Sequence, residues 1–298
     1  MMICIVGPTG VGKSKLAIRL AKALNGEIIN GDAFQIYKGM DIGTAKPTKE
    51  EREIVPHHLF DFVEPDFEYS IYTYQKNLRN KIEELQDKNV PIIICGGSGL
   101  YLKSSLYDFV LNENKSDVDM SSFEKMSNEE LHNYLSSIDL EESMKIHMNN
   151  RKRVMRAIEI YLQEGKKKSE IISLQEHKPI YDVTFVGLTK DRDELYELIN
   201  KRVDLMFSLG LVDEVRNLLK KYPATLRSFQ AIGYKEIISG LASGSSEEEM
   251  KELIKKNSRN YAKRQFTYFK HQMDVKWFND IDEAYEFSLK KLGEIYGK

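Results

Sequence analysis

Near its amino terminus the chain reads MMICIV and then GPTGVGKS, residues 7–14, and no other feature limits its fold as much. A short apolar run stopped by glycine reads as a buried strand. The octet after it fits G-x-x-x-x-G-K-[ST], whose backbone N–H groups converge on phosphate oxygens. Leu16, Leu20, Ala23 and Leu24 then recur at helical spacing, which sets a helix N-terminus and its partial positive charge at the loop. In such a loop Lys13 supplies a cation and Ser14 a hydroxyl suited to Mg²⁺.

The same pattern continues downstream. GEIING predicts a second strand, and SIYTYQKNLRNKIEELQDKN a helix capped by Ser70. VPIIIC is apolar throughout, as in a strand of a parallel sheet covered on both faces, and DVTFVGLT (182–189) is a fourth. Alternating strands and helices imply an α/β fold with right-handed crossovers. The expected architecture is a P-loop NTPase-like parallel sheet flanked by helices, built from residues 1–110 and 180–298. Residues 111–179 are polar, helical in pattern and without a strand signal, so they read as a helical insertion. After Asp191 the carboxy-terminal part is mostly helical, with VKWF as a candidate strand and a helix–loop–helix break in GLASGSSEEE (240–249).

Composition narrows the class. With 298 residues the chain can bury a sizeable core. No apolar run is long enough to span a bilayer, and MMICIV is too short for a signal peptide, so a cytoplasmic protein without membrane contact is expected. Cys4 and Cys95 lie in strand-like runs and read as core residues of a reducing compartment; no Cys/His spacing suggests zinc. Net charge is −2, but the charge is uneven: 113–142 is largely acidic, whereas 145–168 and 251–276 are rich in Lys and Arg. Charge alone leaves open whether these basic stretches touch nucleic acid or are solvated helix faces.

An NTP-hydrolysing protein of this type usually places a magnesium-holding Asp at the end of a second apolar strand. Here VPIIIC ends in GGSGLY, with no acid and no guanine-reading motif. That favours transfer chemistry on a small phosphate ester. An acid instead follows the second strand: Asp32, in INGDAFQIYKGMDIGTAKP (29–47). Strand ends beside a phosphate loop are where ligands sit in such sheets. On position alone, Asp32 can equally be a turn cap. Gly39, Gly43 and Pro47 mark the segment after it as an irregular loop.

Taken together, GPTGVGKS, GDAFQIYKGMDIGTAKP, PHHLFDFVEPDFEYS and GGSGLYLKSSL resemble the tRNA dimethylallyltransferase (tRNA isopentenyltransferase) family, bacterial type. The likeness continues through IHMNNRKRVMRAIEIYLQEGK, KRVDLMFSLGLVDEV, QAIGYKE and RNYAKRQFTYFK, in order and over nearly the whole chain. It implies transfer of a dimethylallyl group from dimethylallyl diphosphate to N6 of the adenosine just 3′ of the anticodon in tRNA, with Mg²⁺ as cofactor. It assigns Gly7, Pro8, Thr9, Gly10, Val11, Gly12, Lys13 and Ser14 to the donor's diphosphate, Ser14 also to the metal, and catalytic roles to Asp32, Lys13 and Arg202. It implies contacts with the anticodon stem-loop by Asp32, Ala33, Phe34 and Gln35; by Ser98; by Lys152, Arg153, Val154, Met155 and Arg156; by Gln230, Gly233, Tyr234 and Lys235; and by Lys263, Arg264, Gln265 and Lys270. On sequence alone Arg202 would be a surface helix arginine. Among Tyr261, Phe266, Tyr268 and Phe269, helical spacing assigns at least two to the core.

The chain departs from the family's pattern at Met148 and Asn150, where many relatives carry Pro and Asp, and at Leu198, where Arg is common. Tyr268 and Lys270 replace the more usual Trp and Arg, and the insertion is shortened near Asp117–Asp119. These changes bear on the grip on tRNA rather than on Asp32, Lys13 or Arg202. A monomer is expected, since the resemblance suggests one enzyme per tRNA and no coiled-coil pattern is present. Two other classes fit parts of the sequence: a P-loop small-molecule or nucleotide kinase, and an RNA-binding module with a vestigial loop. The basic carboxy-terminal third and the absence of lid arginines speak against the first. The intact Lys13, Ser14 and Asp32 speak against the second.

Overall fold

A computed structural model describes residues 2–111 and 118–296. The shortening expected near Asp117 falls partly outside these residues. The chain divides into two compact units: residues 2–106 with 181–296, and residues 107–180 without the undescribed stretch.

The larger unit is a six-stranded parallel sheet with its helices. Its first half runs β1 (Met2–Val6), α1 (Lys13–Leu24), β2 (Glu27–Asn30), α2 (Lys49–Ile54), β3 (His57–His58), α3 (Ile71–Asp87), β4 (Ile92–Cys95) and α4 (Gly99–Leu106). The smaller unit holds five helices: α5 (Ser121–Glu124), α6 (Asn128–Ile138), α7 (Leu140–Lys145), α8 (Arg151–Glu164) and α9 (Lys168–Ser173). The chain then returns through β5 (Val183–Leu188), α10 (Arg192–Ser208), α11 (Leu211–Leu219), α12 (Tyr234–Ser243), α13 (Glu247–Gln272), β6 (Val275–Phe278) and α14 (Ile281–Tyr296). Among the described residues no helix is long and apolar enough to cross a membrane.

Strand order is β3-β2-β4-β1-β5-β6, all parallel. Every residue of β1 and β4 is buried, as strands covered on both faces require. Side chains alternate between faces. Ile3 and Ile5 join Leu16, Leu20 and Leu24 of α1, Ile93 of β4 and Leu292 of α14 in one apolar cluster. The chain leaves β1 for β2 on one side and leaves β4 for β5 on the other. That reversal opens a crevice at the carboxyl ends of β1 and β4, where ligands bind in open α/β sheets.

Local chemistry accounts for the helix ends. Ser70 accepts the Thr73 N–H at the start of α3, as expected from the sequence. Two short elements were not anticipated. Helix α2 carries a capping box, Thr48 with Glu51, a readable signal in a six-residue element. Strand β3 is two histidines at the sheet edge, with no apolar pattern to mark it. The smaller unit has its own core, with Leu131 and Leu135 of α6 against Val154 and Ile158 of α8. Arg151 ties it by donating to the carbonyls of Phe123, Glu124 and Met126.

Asn30, fully buried at the end of β2, organises the turn that follows. Its side chain accepts the Asp32 N–H (2.8 Å) and donates to the carbonyls of Asp32 and Leu59 (both 2.9 Å). Its own carbonyl accepts the buried Tyr74 hydroxyl at 2.6 Å. Tyr74→Phe leaves that carbonyl without its donor, so it is expected to cost about 1–3 kcal/mol, read as a lowered urea midpoint with unchanged slope.

Candidate active site

The crevice deepens into a cavity of about 500 Å³ within the larger unit. Gly43, Thr44, Ala45 and Lys235 border it, together with three larger groups of residues. The phosphate loop contributes Thr9, Gly10, Gly12, Lys13 and Ser14; the ends of β2 and β4 contribute Asp32, Phe34, Gln35, Cys95, Gly96 and Gly97. Helices α10 and α13, with the segment before α12, contribute Leu198, Ile199, Arg202, Val203, Met206, Ile232, Ile254, Tyr261 and Arg264. The loop side is thus polar and cationic, and opposite it Leu198, Ile199, Val203, Met206, Ile232 and Ile254 form an apolar wall beside Arg202 and Arg264.

The loop has the expected backbone. Gly10 (φ 89°) and Gly12 (φ 93°) occupy left-handed conformations that favour glycine, and α1 begins at Lys13. The Lys13 ammonium folds back onto the Pro8 carbonyl at 2.7 Å. Burial pushes its pKa down to about 8, with Arg202 acting in the same direction and Asp32 opposing. Burial also lowers Arg202, again with Asp32 opposing. In Asp32, burial raises the carboxyl above its ordinary value, while the Phe34 N–H, Lys13 and Arg202 pull it back. Two cations and one carboxylate therefore act on one another inside one cavity, and the Phe34 N–H holds Asp32 Oδ1 at 2.9 Å. Asp32 both caps its turn and faces the cavity, so the two readings of its position are compatible.

The loop after Asp32 is built by side chains rather than by a ladder. Gln35 donates to the carbonyls of Thr44 (3.0 Å) and Ala45 (3.1 Å). Buried Lys46 reaches the Tyr37 carbonyl, Asp41 and Asp61. Glu214 of α11 accepts N–H groups from Asp41, Ile42 and Gly43 and the hydroxyl of Tyr234. Sequence reasoning did not single out Glu214 or Lys46, because nothing local to LVDEV or TAKP shows what they hold.

The residues assigned to tRNA by resemblance divide by exposure. Lys152, Arg153 and Arg156 are exposed on α8, Gln230 and Lys235 around the start of α12, and Lys263, Arg264 and Lys270 on α13. Three of the assigned side chains turn inward. Val154 is in the core of the smaller unit. Tyr234 is fully buried, stacked on Phe229 with its hydroxyl on Glu214. Gln265 is buried with its amide spent on backbone groups. Gly233 is buried too, and Met155 packs against the smaller core. Ser98 is buried, its hydroxyl accepting from the Ala33 N–H. Of the four aromatics on α13, Phe269 is buried and Phe266 packs on Trp277 at 4.9 Å. Leu198 lies in the cavity's apolar wall. Cys4 is in the core as expected; Cys95 is buried but also borders the cavity, its thiol pushed up to about 11 by burial.

Among the described residues no cluster of three metal-ligating side chains exists. Ser14 borders the cavity with a hydroxyl, and Asp32 is the cavity's only carboxylate among the described lining residues. This sparse oxygen set fits Mg²⁺ arriving on a diphosphate, since that ion keeps waters and takes few protein ligands.

The comparisons with known proteins agree with this geometry. A family model described as IPP transferase matches residues 35–272. The tRNA dimethylallyltransferase of Bacillus pumilus (strain SAFR-032) is 46% identical over 97% of this chain and 92% of its own. That of Bacillus subtilis (strain 168) is 45% identical over 97% and 94%. A crystal structure of a tRNA delta(2)-isopentenylpyrophosphate transferase from Staphylococcus epidermidis superposes with a TM-score of 0.73 at 40% identity, covering 98% of each chain. A eukaryotic dimethylallyltransferase acting on tRNA superposes at 0.84 with 29% identity, covering 99% of this chain and 78% of that one. A sheet whose crevice pairs a phosphate loop with Asp32, in a chain alike to these over almost its whole length, places the protein in the IPP transferase family, that of the tRNA dimethylallyltransferases.

Proposed function

We propose that the protein transfers a dimethylallyl group from dimethylallyl diphosphate to N6 of the adenosine immediately 3′ of the anticodon in tRNA, releasing diphosphate. The observation that carries this reading is one cavity holding a phosphate loop, an isolated carboxylate and an apolar wall. The five-carbon chain lies against Leu198, Ile199, Val203 and Met206, and its diphosphate sits on the loop.

An adenine amino group is a poor nucleophile because its lone pair is delocalised into the ring. Asp32 accepts a hydrogen bond from N6, orients it and takes its proton as the new N–C bond forms. The donor's C–O bond breaks, and its electrons leave with the diphosphate. Lys13, Arg202 and the loop N–H groups take up the charge that develops there. Mg²⁺, held by Ser14 and the phosphates, adds charge neutralisation when bound. No water needs activating, which suits the absence of an acid after β4. The target base has to leave its stack to reach the cavity. Exposed cations on α13 are suited to the RNA backbone around it, and those on α8 give the smaller unit its own RNA-facing charge. The protein works as a monomer in the cytoplasm on this reading.

Asp32→Ala is expected to slow transfer of labelled dimethylallyl into tRNA about 10²–10⁴-fold while the donor still binds; near-normal turnover would remove Asp32 as the base. Donor affinity is expected to fall as pH rises past about 8, where Lys13 of the free protein loses its proton. Bound diphosphate holds that proton on, so the dissociation constant should rise by at most about tenfold per pH unit above that point. Calorimetry in buffers of different ionisation enthalpy reads the proton uptake directly; none at pH 9 would contradict it. Affinity for tRNA should fall with salt. Replacing Lys263 or Arg264 by Ala should each reduce the log–log slope by about 1, and unchanged slopes would remove α13 from the RNA surface.

A further inference from the structure

In this phosphate loop one N–H group is already taken. Thr9 N–H donates to Gln265 Oε1 at 3.0 Å, and Gln265 Nε2 donates to the Gly97 carbonyl at 2.9 Å. Gln265 is buried on α13. Its amide occupies room that glycine leaves: a Cβ on Gly97 would stand 2.2 Å from Nε2. One turn earlier on α13, the Tyr261 hydroxyl interacts with both Gln265 and Ser98. Ser98 Oγ accepts the N–H of Ala33 at 2.9 Å, the residue directly after Asp32. A path of hydrogen bonds thus runs from the phosphate loop through Gln265 to Gly97 and, by way of the next residue, Ser98, to the turn that carries the carboxylate, with Tyr261 beside Gln265 and Ser98.

We propose that Gln265 and Tyr261 are positioning residues that set the distance and direction between the phosphate loop and the Asp32 carboxylate. This rests on the prenyl-transfer reading. Displacement at carbon needs the amino nitrogen, the carbon and the leaving oxygen in line, with reacting atoms about 3–3.5 Å apart. The nitrogen's place follows the Asp32 turn, and the leaving oxygen's place follows the loop. The sheet fixes the strands, and backbone bonds from Gly96 to Ile5 and from Ser98 to Gly31 extend that order one step past the strand ends. Beyond them, the side chains from α13 tie the two loops to one rigid helix. Neither residue gains or loses a proton or a bond in the reaction.

The test is single-turnover transfer from labelled dimethylallyl diphosphate to tRNA, with dissociation constants for donor and tRNA measured separately. Wild type, Gln265→Met, Tyr261→Phe and the double variant are compared. Gln265→Met is expected to slow the chemical step about 10²-fold while both dissociation constants stay within about threefold of wild type. Tyr261→Phe slows it less. The double variant is no more than about twofold slower than Gln265→Met, because a chain already broken is not broken again. A folded Gln265→Met enzyme with wild-type rate, a loss confined to donor affinity, or losses that simply multiply would each overturn the proposal. If Gln265→Met does not fold, Tyr261→Phe decides: a slower step at unchanged affinities supports the proposal, and a wild-type rate overturns it. No transfer by wild type sinks the prenyl-transfer reading and this proposal with it, whereas variants as fast as an active wild type sink this proposal alone.

Discussion

The insertion of β4 between β1 and β2 is the constraint on which the site depends. It brings three strand ends to one rim: the phosphate loop after β1, Asp32 after β2, and the Gly96–Gly97 pair after β4. Parallel pairing points all three carboxyl ends the same way, so loop N–H groups and a carboxylate open into one crevice. Everything added later in the chain, from α10 to α13, closes the crevice into a cavity and brings Arg202, Tyr261 and Gln265 to its wall.

The electrostatics of that cavity follow from burial. Lys13 and Arg202 are held below their ordinary values and Asp32 above its own, so each charge is less favourable than in water. Such a set is costly when empty and favours a ligand that supplies two or more negative charges beside the cations. The same burial makes Asp32 a stronger proton acceptor than an exposed carboxylate. In the proposed reaction both effects act in the same direction, stabilising the leaving diphosphate and assisting loss of the amino proton.

Legibility in the sequence followed the range of each interaction. The phosphate loop, strands β1, β2, β4, β5 and β6, and the cap at Ser70 are local patterns, so residues near one another announce them. Asp32 was readable because it follows a strand beside the loop, and α2 was readable in principle from its capping box. Arg202 and the apolar wall were not readable from spacing; they lie on α10, and only the fold brings them to the loop. The resemblance supplied Arg202. Glu214, Lys46 and Gln265 stand furthest from local inference, because their partners lie 171, 15 and 256 residues away. Val154 and Tyr234 show the opposite limit: a segment can match an RNA-contacting stretch while half of its side chains face a core.

The central claim is that one cavity joins the diphosphate to an adenine amino group. The most direct measurement is to incubate the protein with Mg²⁺, labelled dimethylallyl diphosphate and unmodified tRNA, digest the RNA to nucleosides and identify the labelled one, with ATP substituted for the donor in parallel. The account predicts label in a single N6-substituted adenosine, from the position 3′ of the anticodon, and no acceptor-dependent ATP consumption. Unlabelled RNA together with ATP turnover on a small acceptor would contradict it and give the phosphate loop to a kinase.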